Sequence, residues 1–325
     1  MGLQYKRVRA GLLALLFVLM TATLVLAAGC EKTPATSKGS RPVGASSAPA
    51  EYPVTVGGVE LTAKPQRVAA LSPALAELAA ELGYGSQLCG RGEECDYPEA
   101  VKALPCVGSM LMPDIDQIAA LDADLVLMQT APSERVKSLL DKKGVQVLVI
   151  PAAASLDAVA AVYDDLGRAL GGAHTGSAQA KAAWEAVSGR LTALEQTLGG
   201  VEKKTGLYVA NADGSVATGD TVMHAVLTAA GLDNAAAQGA GWKLPDGAAA
   251  KAAVLLCPDP MTGSVGGMAA FKSSPAVKNK QIIGVDAIAL ERQTARMADA
   301  AEAIARKLYP SAFTQTTESA SGAAV

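Results

Sequence analysis

Short apolar runs alternate with helical patterns along this chain, in two series separated by one long amphipathic segment. The first series contains the apolar runs 67–71, 124–128 and 145–150, and the second contains 206–210 and 253–257. Each run lies near a stretch whose apolar residues recur three and four positions apart, as on one face of a helix. Strands that alternate with helices form parallel sheets covered by helices on both faces. The sequence therefore predicts an α/β fold with two doubly wound lobes, each built on a central, mainly parallel sheet.

The segment between the two series predicts a long α-helix that joins the lobes. One apolar stripe follows spacings of three and four residues through Trp184, Val187, Leu191, Leu194 and Leu198. A helix from Ser177 to Leu198 would be about 33 Å long at 1.5 Å per residue, enough to run along the backs of both lobes. We therefore assign residues 51–154 to an N-terminal lobe, 155–200 to inter-lobe helices and 201–310 to a C-terminal lobe.

The N-terminus has the pattern of a bacterial lipoprotein signal. A cationic stretch at 6–9 precedes an apolar stretch at 11–26, and small residues at 27–29 lead to Cys30. This pattern predicts removal of residues 1–29 and lipidation of the Cys30 thiol. The alternative is an uncleaved membrane anchor, although the apolar stretch is short for the roughly 20 residues of a spanning helix. Both alternatives place the rest of the chain outside the cytoplasmic membrane, and we predict a lipid-anchored protein.

The segments at the two ends of the folded part have the composition of flexible chain. Residues 30–50 and 311–325 are rich in Ser, Thr, Ala and Gly and contain few large apolar side chains. Such segments bury too little surface to offset the entropy of ordering. We predict a flexible tether at 30–50 and a disordered tail at 311–325.

The net charge limits the possible partners of the protein, and the cysteines bear on whether it contains a disulfide. The formal net charge of −3 provides no basic footprint for nucleic acid. Outside the cytoplasm, Cys89, Cys95 and Cys106 could form one disulfide or none. Cys257 ends an apolar run and is expected to be a buried small hydrophobe.

Several motifs, in order along the chain, resemble those of a known family. They are the P-Q-R-V-A-A-L-S-P stretch at 65–73, Asp96-Tyr97-Pro98, the block 113–126, Ala230–Asn234, and Arg292–Arg296 with Ala295 where proline is usual. Together they resemble the helical-backbone, periplasmic-type binding proteins of ABC transporters, which include vitamin B12, ferric-siderophore and haem binders. The resemblance extends from about residue 53 to residue 310.

The resemblance implies a solute-binding lipoprotein that captures a small-molecule metal chelate between its lobes. The chelate would be a corrinoid, a ferric siderophore or haem, and the partners would be an ABC permease and its ATPase. For haem, a tyrosine or histidine ligand is expected, and Tyr208 and His224 are the suggestive positions. We expect a monomer without a cofactor of its own. The alternatives are a surface sensor or adhesion protein that reuses the fold, and an extracytoplasmic metal-dependent enzyme.

Ligands of doubly wound lobes meet the carboxyl ends of the strands. This rule selects residues in both lobes, namely Ser72, Pro73, Arg91, Met110, Met112, Gln129, Asn211 and Thr221. The resemblance adds Trp242 and Arg292. Simpler roles remain open, because Ser72 can cap a helix, the two methionines can fill a core, and Arg91 can be a solvated charge.

The resemblance also implies one carboxylate on each lobe that docks to arginines of the permease. Asp116 stands at the usual position in the first lobe, and Asp246 is the nearest candidate in the second. Both can also be ordinary surface aspartates. We expect no catalytic residue and no metal-binding residue, because the chain has neither a G-x-S-x-G nor an H-E-x-x-H motif and only two histidines.

Overall fold

Two four-stranded parallel sheets organise residues 49–314, which are the part of the chain that this computed structural model describes. The predicted signal peptide, Cys30, most of the tether and residues 315–325 lie outside the described residues. No helix within 49–314 is both long enough and apolar enough to cross a bilayer. The predicted α/β fold with two lobes is confirmed.

The first lobe carries a four-stranded sheet, preceded by an antiparallel two-stranded hairpin. In chain order the elements are β1 (Val54–Val56), β2 (Val59–Leu61), β3 (Val68–Ala70), α1 (Pro73–Glu81), β4 (Leu88–Arg91), α2 (Glu99–Lys102), α3 (Ile115–Ala120), β5 (Leu125–Met128), α4 (Glu134–Lys142) and β6 (Gln146–Val149). The hairpin pairs β1 with β2, and the strand order of the sheet is β4-β3-β5-β6. Every residue of the central strands β3 and β5 is buried, as is typical of strands that helices cover on both faces.

Two antiparallel helices follow, α5 (Leu156–Gly171) and α6 (Thr175–Thr197). The start of α6 lies against the first lobe, where Gln179 donates to the Leu82 carbonyl at 2.6 Å. Further along, Arg190 of α6 pairs with Asp299 of the second lobe at 2.5 Å. The predicted inter-lobe helix is thus confirmed as one unbroken element of 23 residues.

The second lobe repeats the parallel arrangement in a second four-stranded sheet. In chain order the elements are β7 (Lys204–Tyr208), α7 (Val222–Ala229), β8 (Leu232–Asn234), α8 (Ala248–Lys251), β9 (Val254–Pro258), α9 (Pro275–Lys278), β10 (Ile282–Val285), α10 (Ala287–Glu291) and α11 (Ala295–Leu308). The strand order of the sheet is β10-β9-β7-β8. The last helix, α11, packs along α6, and a 3-10 turn at Pro310–Phe313 follows at the start of the segment predicted as a tail.

The two long helices approach each other closely at glycines. A Cβ atom built on Gly176 of α6 would overlap the carbonyl oxygen of Gly167 on α5, and a Cβ on Gly167 would overlap the carbonyl oxygen of Gly176. Nearby, the Tyr84 ring of the first lobe occupies the space that a side chain at Gly171 would need. Backbone therefore rests directly on backbone here, which only glycine permits.

All four cysteines of the described residues are free thiols. Cys257 is fully buried, as predicted, and burial raises its pKa to about 11. Burial also raises the pKa of Cys95 to about 11. These two thiols therefore stay protonated near neutral pH and behave as small apolar side chains.

Candidate functional site

A cavity of about 280 Å³ lies where the strand ends of both lobes meet. The first lobe contributes the segment that follows β6, and the second contributes the start of α7, the Trp242 loop and the end of α10. The lining residues are Ala152, Ala153, Ala154, Asp220, Thr221, Val222, Met223, Trp242, Glu291 and Gln293. A cavity shared by two lobes allows a ligand to contact both of them at once.

Trp242 is held at the cavity in an uncommon backbone conformation, with φ of 61°. Its N–H donates to the Thr218 hydroxyl oxygen at 3.1 Å, and its carbonyl accepts from the Val216 N–H at 3.0 Å. The Thr218 hydroxyl donates in turn to Asp220 at 2.6 Å, and Asp220 also accepts from the Gly241 N–H at 2.9 Å. These bonds stabilise the strained turn and fix the aromatic ring in the cavity wall.

Gln293 links the two lobes at the cavity edge. Its amide nitrogen donates to the Ala153 carbonyl at 2.8 Å, and its amide oxygen accepts from the Ala153 N–H at 2.9 Å. The side chain is 8% exposed and its φ is 58°. A paired amide contact of this kind holds the segment after β6 against the second lobe. The sequence signal was slight, because the motif that Arg292–Arg296 resembles specifies no residue type at the position of Gln293.

Glu291 presents a carboxylate to the cavity from the end of α10. Its Oε1 atom accepts from the Tyr208 hydroxyl at 2.5 Å. Tyr208 is fully buried, and burial first, then the contact with Glu291, raise its pKa well above the usual range. The phenol therefore stays protonated and directed at Glu291.

His224 and Tyr208, the two positions suggested for haem ligation, are not among the residues that line the cavity. The Nδ1 atom of His224 lies 3.4 Å from the side-chain nitrogen of Asn234. Among residues 49–314, no group of three or more His, Cys, Asp or Glu residues is placed to hold a metal ion.

A buried ionic cluster joins the lobes beside the cleft. Glu77 of α1 is 3% exposed and lies 3.3 Å from Arg292 and 3.2 Å from Arg296 of the second lobe. Glu77 also accepts from the Thr294 hydroxyl. Arg292 has a second partner, Asp96, at 2.6 Å. Glu77 and Asp96 belong to the first lobe and both arginines to the second, so these pairs resist separation of the lobes. Arg296 also pairs with Asp286 of its own lobe at 3.3 Å.

The structure places two of the ten predicted ligand residues, Thr221 and Trp242, in the cavity lining. Arg292 is close by but engaged in the ionic cluster. Ser72 is fully buried, caps α1 by accepting from the Leu75 N–H, and donates to Gln129 at 2.7 Å. Pro73 is the first residue of the helix that Ser72 caps.

The remaining predicted ligand residues do not line the cavity. The Arg91 guanidinium donates to the carbonyls of Gly92, Glu93 and Lys102. Met110 is half-buried, Met112 is 79% exposed, and Asn211 is exposed. A role for these residues in ligand binding stays a prediction.

The two predicted docking residues lie on the surface. The Asp116 side chain is 91% exposed and pairs with Lys143 at 3.1 Å. Asp246 is also exposed. Their accessibility is compatible with contact to a partner protein.

A cavity between two α/β lobes that share one long helix is the architecture of a solute-binding protein. The family model described as periplasmic binding protein matches residues 68–289, more than half of the chain, and the chain belongs to that family. The resemblance drawn from the sequence motifs is therefore confirmed.

Individual relatives agree with this assignment. The uncharacterized ABC transporter substrate-binding lipoprotein YvrC of Bacillus subtilis (strain 168) is 28% identical over 324 residues, which cover 94% of this chain and 98% of YvrC. Among solved structures, the periplasmic heme-binding protein BhuT in complex with two hemes is 26% identical, with a TM-score of 0.61 over 77% of this chain and 100% of BhuT. The periplasmic vitamin B12 binding protein BtuF of Vibrio cholerae is 21% identical, with a TM-score of 0.58 over 77% of this chain and 99% of BtuF.

Proposed function

We propose that this protein is the extracytoplasmic, lipid-anchored solute-binding component of an ABC importer and that its ligand is a metal chelate. The observation that carries the proposal is the cavity of about 280 Å³ whose lining comes from both lobes. The names of the similar proteins, which include a substrate-binding lipoprotein, a heme-binding protein and a vitamin B12 binding protein, support it. A corrinoid, a ferric siderophore and haem are the candidate ligands.

The chemistry of the cleft suits a large, partly apolar ligand. The cavity combines the Trp242 ring with alanines and Met223, and its volume is near the lower end for drug-sized ligands. We infer that it holds one edge of the chelate. In the first lobe, Leu111 and Met112 are 84% and 79% exposed, and such flexible apolar side chains adapt well to irregular surfaces.

Replacing Trp242 is expected to weaken ligand binding. Trp242→Ala removes the largest aromatic surface of the cavity, and a buried aromatic anchor contributes about 2 kcal/mol, or about a 30-fold change in Kd. The test is a melting-temperature series of the detergent-solubilised full chain with cobalamin, haem and several ferric siderophores. A ligand at 100 times its Kd should add about 2.7 kcal/mol of stability.

Trp184→Ala is the matched control for this experiment. Trp184 is the other tryptophan of the chain and packs on Tyr163, with 5.5 Å between the ring centroids, away from the cavity. The Trp184→Ala substitution should lower the melting temperature of the protein without changing the shift in melting temperature that the ligand causes. If no member of the panel raises the melting temperature of the unmodified protein, the proposed ligand class is wrong.

Delivery to a permease is part of the same proposal. We assign docking to Asp116 and Asp246, one exposed carboxylate on each lobe, and expect the ATP hydrolysis to belong to the partner ATPase. A sensor or adhesion protein with the same fold would bind a ligand without such a partner. Co-purification of a permease with the detergent-solubilised protein favours import over that alternative.

Lipidation at Cys30 has a direct chemical test. Cells fed radiolabelled palmitate should label the unmodified protein, and Cys30→Ser should lose the label because the acceptor thiol is gone. Cys106→Ser is the matched control, since Cys106 is an exposed free thiol of the folded part and its loss should leave labelling intact. Label retained by Cys30→Ser would show that the lipoprotein assignment is wrong.

A further inference from the structure

We propose that the cleft selects chelates without net negative charge, and that Asp220 and Glu291 are the residues that impose this selection. The inference rests on the proposed function and specifies the ligand further. It follows from the two carboxylates of the cavity lining, from the lack of a cation among the lining residues and from the exposed acidic side chains that follow strand ends in both lobes.

The cavity lining contains two carboxylates and no cation. Asp220 and Glu291 contribute acidic groups, whereas no Lys, Arg or His is among the lining residues. The Thr218 hydroxyl and the Gly241 N–H hold the pKa of Asp220 below its ordinary value, so this group is ionised near neutral pH. Oε2 of Glu291 accepts no hydrogen bond from residues 49–314, which leaves it available to a ligand.

None of the nearby cations is among the residues that line the cavity. Arg292 pairs with Glu77 and Asp96, and its side chain is only 12% exposed. The Arg91 guanidinium is bound to three backbone carbonyls. Lys243, next to Trp242 in sequence, is exposed and does not line the cavity. An anionic ligand would therefore find no cation available among the residues that line this cavity.

Further exposed acidic side chains follow strand ends in both lobes. Glu93 and Glu94 are exposed and follow β4 in the first lobe, and Asp213 is exposed and follows β7 in the second. These positions are at the carboxyl ends of the strands, the side where ligands of such lobes bind. Asp220 and Glu291 are exposed, so a like charge on the ligand is repelled through water, and salt screens this repulsion. Haem with its propionates and tris-catecholate ferric chelates are anionic, whereas cyanocobalamin and tris-hydroxamate ferric chelates are neutral or cationic.

The decisive experiment compares metal chelates that differ in charge. The detergent-solubilised full chain is titrated with a neutral ferric tris-hydroxamate, a cationic amine-bearing analogue, an anionic ferric tris-catecholate, cyanocobalamin and haem. The tightest neutral or cationic chelate should bind at least about tenfold more tightly than either anionic one, which corresponds to about 1.4 kcal/mol. Higher ionic strength should reduce the ratio of these two affinities, because salt screens the repulsion of the anionic chelates.

Charge-neutralising variants assign the effect to residues. Asp220→Asn and Glu291→Gln should each reduce the difference in affinity between the neutral or cationic chelates and the anionic ones. They should do so chiefly by improving binding of the anionic chelates. Glu185→Gln, which neutralises an exposed acid of α6 paired with Lys181, is the matched control and should leave the ratio unchanged.

The outcomes separate the inference from the proposed function. If an anionic chelate binds as tightly as the neutral ones, the charge selection is wrong and the proposed function stands. If the ratio of the unmodified protein is as expected but both variants preserve it, the assignment to Asp220 and Glu291 is wrong. If none of the chelates binds, the proposed function fails and the charge selection fails with it.

Discussion

Glu77→Ala should destabilise the protein by about 3 kcal/mol, because it removes one partner from a buried ionic cluster. Glu77 is 3% exposed and lies within 3.3 Å of two arginines of the other lobe. Its loss leaves the Thr294 hydroxyl without its acceptor and two partly buried guanidinium groups with less compensation. Arg292 keeps Asp96 and Arg296 keeps Asp286, which places the expected cost at the lower end of the range for broken buried pairs.

Chemical unfolding of the full chain measures this effect, with Asp116→Ala as the matched control. Asp116 also pairs with a cation, at 3.1 Å from Lys143, but its side chain is 91% exposed. An exposed pair contributes about 0–1 kcal/mol, so the control should unfold almost as the unmodified protein does. Equal small effects of the two substitutions would show that the cluster does not hold the lobes together.

Gly176→Ala should destabilise the protein by about 3 kcal/mol, the upper end of the usual range for overpacked cores. The added methyl group would overlap the carbonyl oxygen of Gly167 on the neighbouring helix. Backbone atoms cannot move aside as a flexible side chain can, so α5 and α6 would have to separate. Since α6 connects the lobes, we also expect weaker inter-lobe contacts and a lower melting temperature.

The same substitution at Gly189 should have the opposite sign. Gly189 lies in the same helix, and a Cβ built there meets no atom within 4 Å among the described residues. Alanine in an exposed helix interior is favoured over glycine by about 0.8–1.0 kcal/mol, so Gly189→Ala should raise stability. We expect the denaturant midpoint of Gly176→Ala to lie below that of the unmodified protein and the midpoint of Gly189→Ala to lie above it. Destabilisation by both would mean that close helix contact is not the cause.

Much of the fold could be predicted because it rests on local patterns. The stripe that ends at Leu198 predicted the inter-lobe helix, and the structure has it at Thr175–Thr197. The Ser72-Pro73 pair marked the start of α1, where serine caps and proline occupies the first turn. The four- and five-residue helices were missed, since about one turn shows too little periodicity. Strands β1, β2 and β8 were missed because each has a polar residue at its centre and so lacks a continuous apolar run.

The candidate site was less predictable because its members come together across long separations. Thr221 and Trp242 were identified from a strand end and a family position, and both line the cavity. Gln293 contacts Ala153 from 140 positions away, and nothing in the local sequence of either residue indicates that pairing. Alanines 152–154 were missed for a similar reason, since a small side chain carries no signal of the cavity it leaves open.

The charges of the cleft were also harder to predict from the sequence than the fold was. Asp220 lies in a stretch that follows a strand end, but its contacts with Thr218 and Gly241 depend on how the Trp242 loop returns to the sheet. Arg91 could be a solvated charge by its sequence position, whereas in the structure its guanidinium donates to the carbonyls of Gly92, Glu93 and Lys102. Net charge along a segment therefore did not reveal the charge that a ligand would meet.

The order of strands and helices, the length of the connecting helix and several helix starts were decided by the amino-acid sequence alone. They depend on periodicity and capping, which act over a few neighbouring residues. The identity of the cavity lining and the state of its charges were decided only by the tertiary structure. Ion pairs such as that of Arg292 with Glu77 join positions 215 residues apart, and their formation requires both lobes to be folded and in contact.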